Sequence, residues 1–67
     1  MHILVVEDER MVARNLCRLL TEILGDTISV LHHEETLSEA EIYLQDNTID
    51  VLFLDLNLSG EDGFELL

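Results

Sequence analysis

Apolar residues follow two rhythms along the chain. Ile3 to Val6 and Val51 to Leu54 are unbroken four-residue runs, the pattern of parallel strands covered on both faces. After the first run the spacing changes: Met11/Val12, Leu16, Leu19/Leu20 and Ile23/Leu24 recur at three- and four-residue steps. That predicts a helix with one apolar face, stopped by Gly25. Thr27 to His32 alternates, with Ile28 and Val30 set against Thr27 and Ser29, and predicts a half-covered strand at a sheet edge. Thr36 and Glu39 form a Thr-x-x-Glu capping box that opens a second helix. Leu37, Ala40 and Leu44, flanked by Ile42 or Tyr43, supply its buried side, and Asn47 ends it. After the loop from Gly60 to Gly63, the final "FELL" begins a third helix.

Strand, helix, strand, helix, strand implies an α/β fold with parallel pairing and right-handed crossovers. A polar second strand in the middle would leave two apolar strands at the edges, so the expected order is 2-1-3. Both apolar runs end in acid: Glu7, Asp8 and Glu9 after the first, Asp55 after the third. The order 2-1-3 brings Glu7, Asp8 and Asp55 to the same sheet edge, at the switch-point crevice where open α/β sheets bind ligands.

Charge narrows the partners. Fifteen acidic residues against three arginines and no lysine give a net charge of −12 over 67 residues. That argues against direct binding of nucleic acid or an anionic membrane by this segment. Hydrophobic content of 48% is too high for disorder, and no apolar run approaches the ~20 residues of a membrane span. The N-terminus has no secretory signal pattern, and a cytoplasmic location is expected. Cys17 is the one cysteine; it excludes an intrachain disulfide and reads as a small buried hydrophobe. His32 and His33, adjacent on a strand, point to opposite sides and read as exposed polar residues rather than a metal pair.

Three neighbouring carboxylates repel one another unless a proton or cation intervenes. Mg2+ suits them, because it takes oxygen ligands, accepts one or two carboxylates and keeps exchangeable waters. A plainer account is that acids follow strands because helix N-termini favour negative charge. It explains Glu9, and serves for Glu61 and Asp62, but not Asp8 and Asp55 arriving together at one edge. The stretch from Asp55 to Leu66 starts like a calcium loop, then fails: its twelfth residue is Leu66, where a bidentate Glu is needed. No Ser/His/Asp set, zinc spacing or glycine-rich phosphate loop occurs.

The segments "ILVVEDE" and "DVLFLDLNLSGEDG" together resemble the receiver domain of bacterial two-component response regulators. The resemblance implies a flavodoxin-like doubly wound parallel sheet. It implies Asp55 as phosphoacceptor for a sensor histidine kinase, with Mg2+ as cofactor. Asp8 would be a direct metal ligand, Glu7 a ligand through water, and Asn57 a ligand through its backbone carbonyl. Receivers promote their own phosphorylation and dephosphorylation without being conventional enzymes. Ser59 stands where the family loop usually has proline, and "DERMVARNL" resembles regulators with LytTR-type DNA-binding outputs.

Family receivers carry two further strands, whose Ser or Thr and Lys contact the phosphoryl group. This chain has no lysine, so residues 1–67 read as the N-terminal half of a receiver, expected to accept phosphate inefficiently. An uncovered third strand then predicts a homodimer, with the third strands meeting antiparallel in the order 2-1-3-3′-1′-2′. Packing through a sheet or helix face is the competing arrangement. A small acidic metal-binding or self-assembling module without phosphotransfer is the alternative function.

Overall fold

The computed structural model describes residues 1–55; Asn57, Ser59, Glu61, Asp62, the Gly60–Gly63 loop and the expected third helix lie outside them. The elements follow the expected alternation: β1 His2–Glu7, α1 Arg10–Leu24, a 3₁₀ turn Gly25–Thr27, β2 Val30–Glu34, α2 Leu37–Asp46 and β3 Val51–Asp55. They form one parallel sheet in the order β2-β1-β3. The polar second strand stands outside the apolar first, as expected.

The central strand makes the core. Ile3, Leu4, Val5 and Val6 are all buried, and alternation divides them between two layers. Ile3 and Val5 join Leu20 of α1, with Leu16, Cys17, Leu24, Leu31, Val51 and Phe53 packed around them. Leu4 and Val6 meet Ala40 of α2, beside Tyr43 and Ile49. Burying each such aliphatic side chain is worth about 1.5–3 kcal/mol, so this one strand holds both helices to the sheet.

Helix ends form where the sequence marks them. Thr36 Oγ1 accepts a hydrogen bond from the Glu39 amide at 3.1 Å and donates to Glu39 Oε1 at 3.0 Å. Asn47 is the C-cap of α2. Gly25 takes φ 49° as its amide bonds the Thr21 carbonyl, a backbone angle that L side chains rarely adopt.

Several expectations are corrected. The buried line of α1 is Ala13 and Leu20, with Leu16, Cys17 and Leu24 half-buried. Met11, Val12, Leu19 and Ile23 are exposed, Ile23 by 74%, because only one line of the helix faces three strands. In α2, Ala40 and Tyr43 turn inward, whereas Ile42 and Leu44 are exposed. The second strand starts at Val30 rather than Thr27. Residues 25–27 are spent reversing the chain, and the Ser29 and Val30 amides both reach the Met1 carbonyl. Among the described residues the run from Val51 to Leu54 is unevenly covered: Val51 and Phe53 pack under α1, while Leu52 and Leu54 are 47% and 39% exposed. They border an apolar cleft with Val6, Leu37, Ala40 and Leu44.

Candidate functional site

Strand register sets the carboxyl ends of β1 and β3 level. Val6 pairs with Leu54, and Glu7 pairs with Asp55, on strands about 4.8 Å apart. Alternation places the Glu7 and Asp55 side chains on the same face as Val5 and Phe53, the α1 side. Asp8 follows directly beyond β1. Asp8 and Asp55 are exposed, whereas Glu7 is 2% exposed. The buried β1 therefore delivers Glu7 into the protein and leads to Asp8 at the surface, while β3 sets Asp55 beside them.

Glu7 is the unusual group. Its Oε1 accepts a hydrogen bond at 3.0 Å from the amide of Glu9, the N-cap of α1. Glu9 thus stands at the helix start as expected, although its own side chain makes no capping bond. Glu7 Oε2 is buried and meets no donor among the described residues. Burial pushes the Glu7 carboxyl above its ordinary 4.5; the Glu9 amide opposes this, and the facing Asp8 and Asp55 carboxyls push it further up. An unpaired acid between two others calls for a proton or a cation.

The donor chemistry fits a hard divalent ion. Every candidate ligand is an oxygen, and a buried carboxylate oxygen of Glu7 lacks a partner among the described residues. Among the described residues no three His, Cys, Asp or Glu side chains converge into a ready cage. Mg2+ does not require one, since it is commonly held by one or two carboxylates and water. Asn57 lies outside the described residues.

A histidine completes the edge on the β2 side. His33 Nε2 lies 2.8 Å from the main-chain carbonyl of Glu7; a carbonyl only accepts, so Nε2 is the donor. His33 is half-buried rather than exposed. The histidine pair was expected exposed at the strand's end; β2 instead runs on to Glu34, so His33 lies within the ladder opposite Val5. His32 is also half-buried: it stacks on Tyr43 with ring centres 3.9 Å apart and meets Glu34 Oε2 at 2.7 Å. Its role is in the α2 layer, where Tyr43 also bonds His2 Nε2. A cavity of about 310 Å³ there, lined by Glu34, Glu39, Tyr43 and Asp46 among others, contains none of the edge acids.

Among the described residues, no helix is long and apolar enough to cross a membrane. Comparison with known proteins matches residues 3–67 to the response regulator receiver domain. Sensory transduction protein LytR of Staphylococcus epidermidis is 38% identical over 66 residues, covering 98% of this chain and 25% of that protein. Sensory transduction protein LytT of Bacillus subtilis is 35% identical, covering 98% of this chain and 27% of that protein. Transcriptional regulatory protein LytR of Staphylococcus aureus is 36% identical, covering 98% and 26%. The chain thus spans about a quarter of the length of the curated relatives it matches. No solved structure matches significantly. With the acid-ended parallel strands in the order 2-1-3, this match places the chain in the response regulator receiver domain family.

Proposed function

We propose that Asp55 accepts a phosphoryl group from a phosphohistidine on a sensor histidine kinase, in the cytoplasm, with Mg2+ as cofactor. The observation that carries this reading is the pairing of Glu7 with Asp55 around a buried, unpartnered carboxylate oxygen. Asp55 is exposed at the end of a strand, open to a large donor yet fixed by the sheet. One of its carboxylate oxygens attacks phosphorus; the new P–O bond forms as the P–N bond breaks, and that electron pair stays on the imidazole nitrogen. The product is an acyl phosphate. Orientation by the strand does much of the work in such a transfer, because little covalent chemistry is asked of the protein.

Glu7, Asp8, Asp55 and Asn57 are the residues that would hold Mg2+. When bound, the ion neutralises charge on the attacking and transferred oxygens. The names of the relatives, sensory transduction and transcriptional regulatory proteins, support a place in a pathway that ends in gene control. At −12 this segment itself is a poor ligand for nucleic acid.

Self-association belongs to the same reading. Among the described strands β3 pairs with β1 alone, and Leu52 and Leu54 are partly exposed. A second copy meeting β3 antiparallel would satisfy its outer edge and shield those side chains. The phosphotransfer reading is tested by incubating the chain with radiolabelled acetyl phosphate and Mg2+. Acid-stable but hydroxylamine-labile label is expected on the wild type and absent from Asp55→Asn. Equal labelling of the two proteins would refute Asp55 as acceptor.

A further inference from the structure

We infer that His33 is a positioning residue of the acidic edge: its Nε2–H holds the Glu7 carbonyl and thereby fixes the peptide from which Asp8 projects. The inference rests on that edge being a Mg2+ site and assigns a role to a residue outside its oxygen ligands.

Three observations converge on this role. The β1–β2 ladder ends at the pair Val6–Glu34, so no β2 residue lies opposite Glu7 on that side. The carbonyl of Glu7 would be left without a strand partner there, at a residue only 2% exposed, where an unpaired backbone group is costly. His33 supplies the missing donor at 2.8 Å.

The consequence reaches Asp8 through covalent geometry. The Glu7 carbonyl and the Asp8 amide share one rigid peptide plane. Anchoring the oxygen fixes that plane about the chain axis and with it the position of the Asp8 Cα, the base from which the side chain projects. Glu7 Oε1 is tethered separately by the Glu9 amide. The turn from β1 into α1 is thus tied at two points, the carbonyl of Glu7 and its side chain. Without the His33 bond, Asp8 keeps its charge but loses one of the restraints on where that charge stands. Outer-shell partners of this kind commonly change metal affinity by 10–100-fold when removed.

The test has two parts on the same chain. First, the imidazole nitrogen shifts of His33 are read by ¹⁵N NMR in the metal-free protein at neutral pH. A protonated Nε2 is expected, and an unprotonated Nε2 would overturn the inference without any variant being made. Second, Mg2+ alone is titrated into wild type, His33→Phe and His33→Gln, following the Asp8 and Asp55 amides. Phenylalanine keeps a planar ring without a donor, whereas glutamine restores an N–H at similar reach. The Phe variant should bind Mg2+ about tenfold more weakly, and the Gln variant within about threefold of wild type. Urea midpoints are measured alongside. A purely structural role would lower the midpoint while leaving the Mg2+ affinity of the folded protein unchanged, and that result would overturn the inference. If His33→Phe does not fold, His33→Asn, too short to reach the carbonyl, takes its place with the same expected loss. Wild-type binding with no loss in the donor-free variant would sink the role of His33 alone. Absence of any Mg2+ response in wild type would sink the metal-site reading and this inference together.

Discussion

Replacing Glu7 by glutamine removes a charge that the protein buries without a counter-charge. Oε1 keeps its acceptor role toward the Glu9 amide, which lies 3.0 Å away. In place of the unpartnered Oε2, the amide offers two N–H donors to the facing carboxylates of Asp8 and Asp55. Leaving a buried polar group unsatisfied costs about 1–3 kcal/mol, so the Gln variant should be more stable than wild type by that amount at pH 7.5 in EDTA. For a chain of this length the gain corresponds to roughly 5–20 °C in Tm. The sign of the pH dependence is fixed by the direction of the Glu7 shift. Its folded-state pKa lies above the ordinary 4.5, so the folded state holds the proton more tightly than the unfolded one. Glu7 then carries no penalty below pH 4.5, and the penalty grows as pH rises through the folded-state value. The advantage of Glu7→Gln should be full at neutral pH and shrink toward pH 4.5. Urea unfolding followed by circular dichroism across a pH series measures it. Adding Mg2+ should reverse part of the ranking, because the ion stabilises the form with the carboxylate. A variant less stable than wild type in EDTA, or a difference independent of pH, would refute the reasoning.

Two other expectations separate the buried faces from the open ones. Leu20→Ala should cost about 2–5 kcal/mol, whereas Ile23→Ala, on the exposed flank of the same helix, should stay within about 0.5 kcal/mol; thermal unfolding of both variants is the check. Sedimentation over a concentration series should reveal a dimer that strengthens with salt, since each copy carries −12. Leu54→Lys should abolish that dimer, and a well-folded wild-type monomer at hundreds of micromolar would refute association through β3.

The parts of this fold that rest on local chemistry are readable in the sequence. Four consecutive aliphatic residues mark the central strand, Gly25 marks the end of α1, and the Thr36–Glu39 spacing marks the start of α2. Strand order followed from the polarity of β2, and from that order came the meeting of Glu7 with Asp55. What the pattern could not resolve depends on neighbours. Periodicity offered Met11, Leu19 and Ile23 to the core as readily as Leu16 and Leu20, and only the narrowness of the sheet chooses between them. The apolar run of β3 gave no sign that Leu52 and Leu54 stand partly exposed. His33 was missed because β2 was expected to begin at Thr27 and the histidine pair at its end was read as exposed; the observed strand runs two residues past His32, which sets His33 against the site. The burial of Glu7 was legible only as a consequence of pairing, since an acid after a strand is commonly a solvated one.

Phosphorylation of Asp55 is tested by trapping the acyl phosphate it would form. The chain is incubated with acetyl phosphate and Mg2+, reduced with borohydride, which converts a phosphorylated aspartate to homoserine, and mapped by tandem mass spectrometry. Homoserine is expected at position 55 alone, at low stoichiometry because the chain supplies no lysine, and none when EDTA replaces Mg2+. Homoserine at Asp8 or another acid, or no trapped product at position 55 under conditions that label another receiver domain, would contradict that assignment.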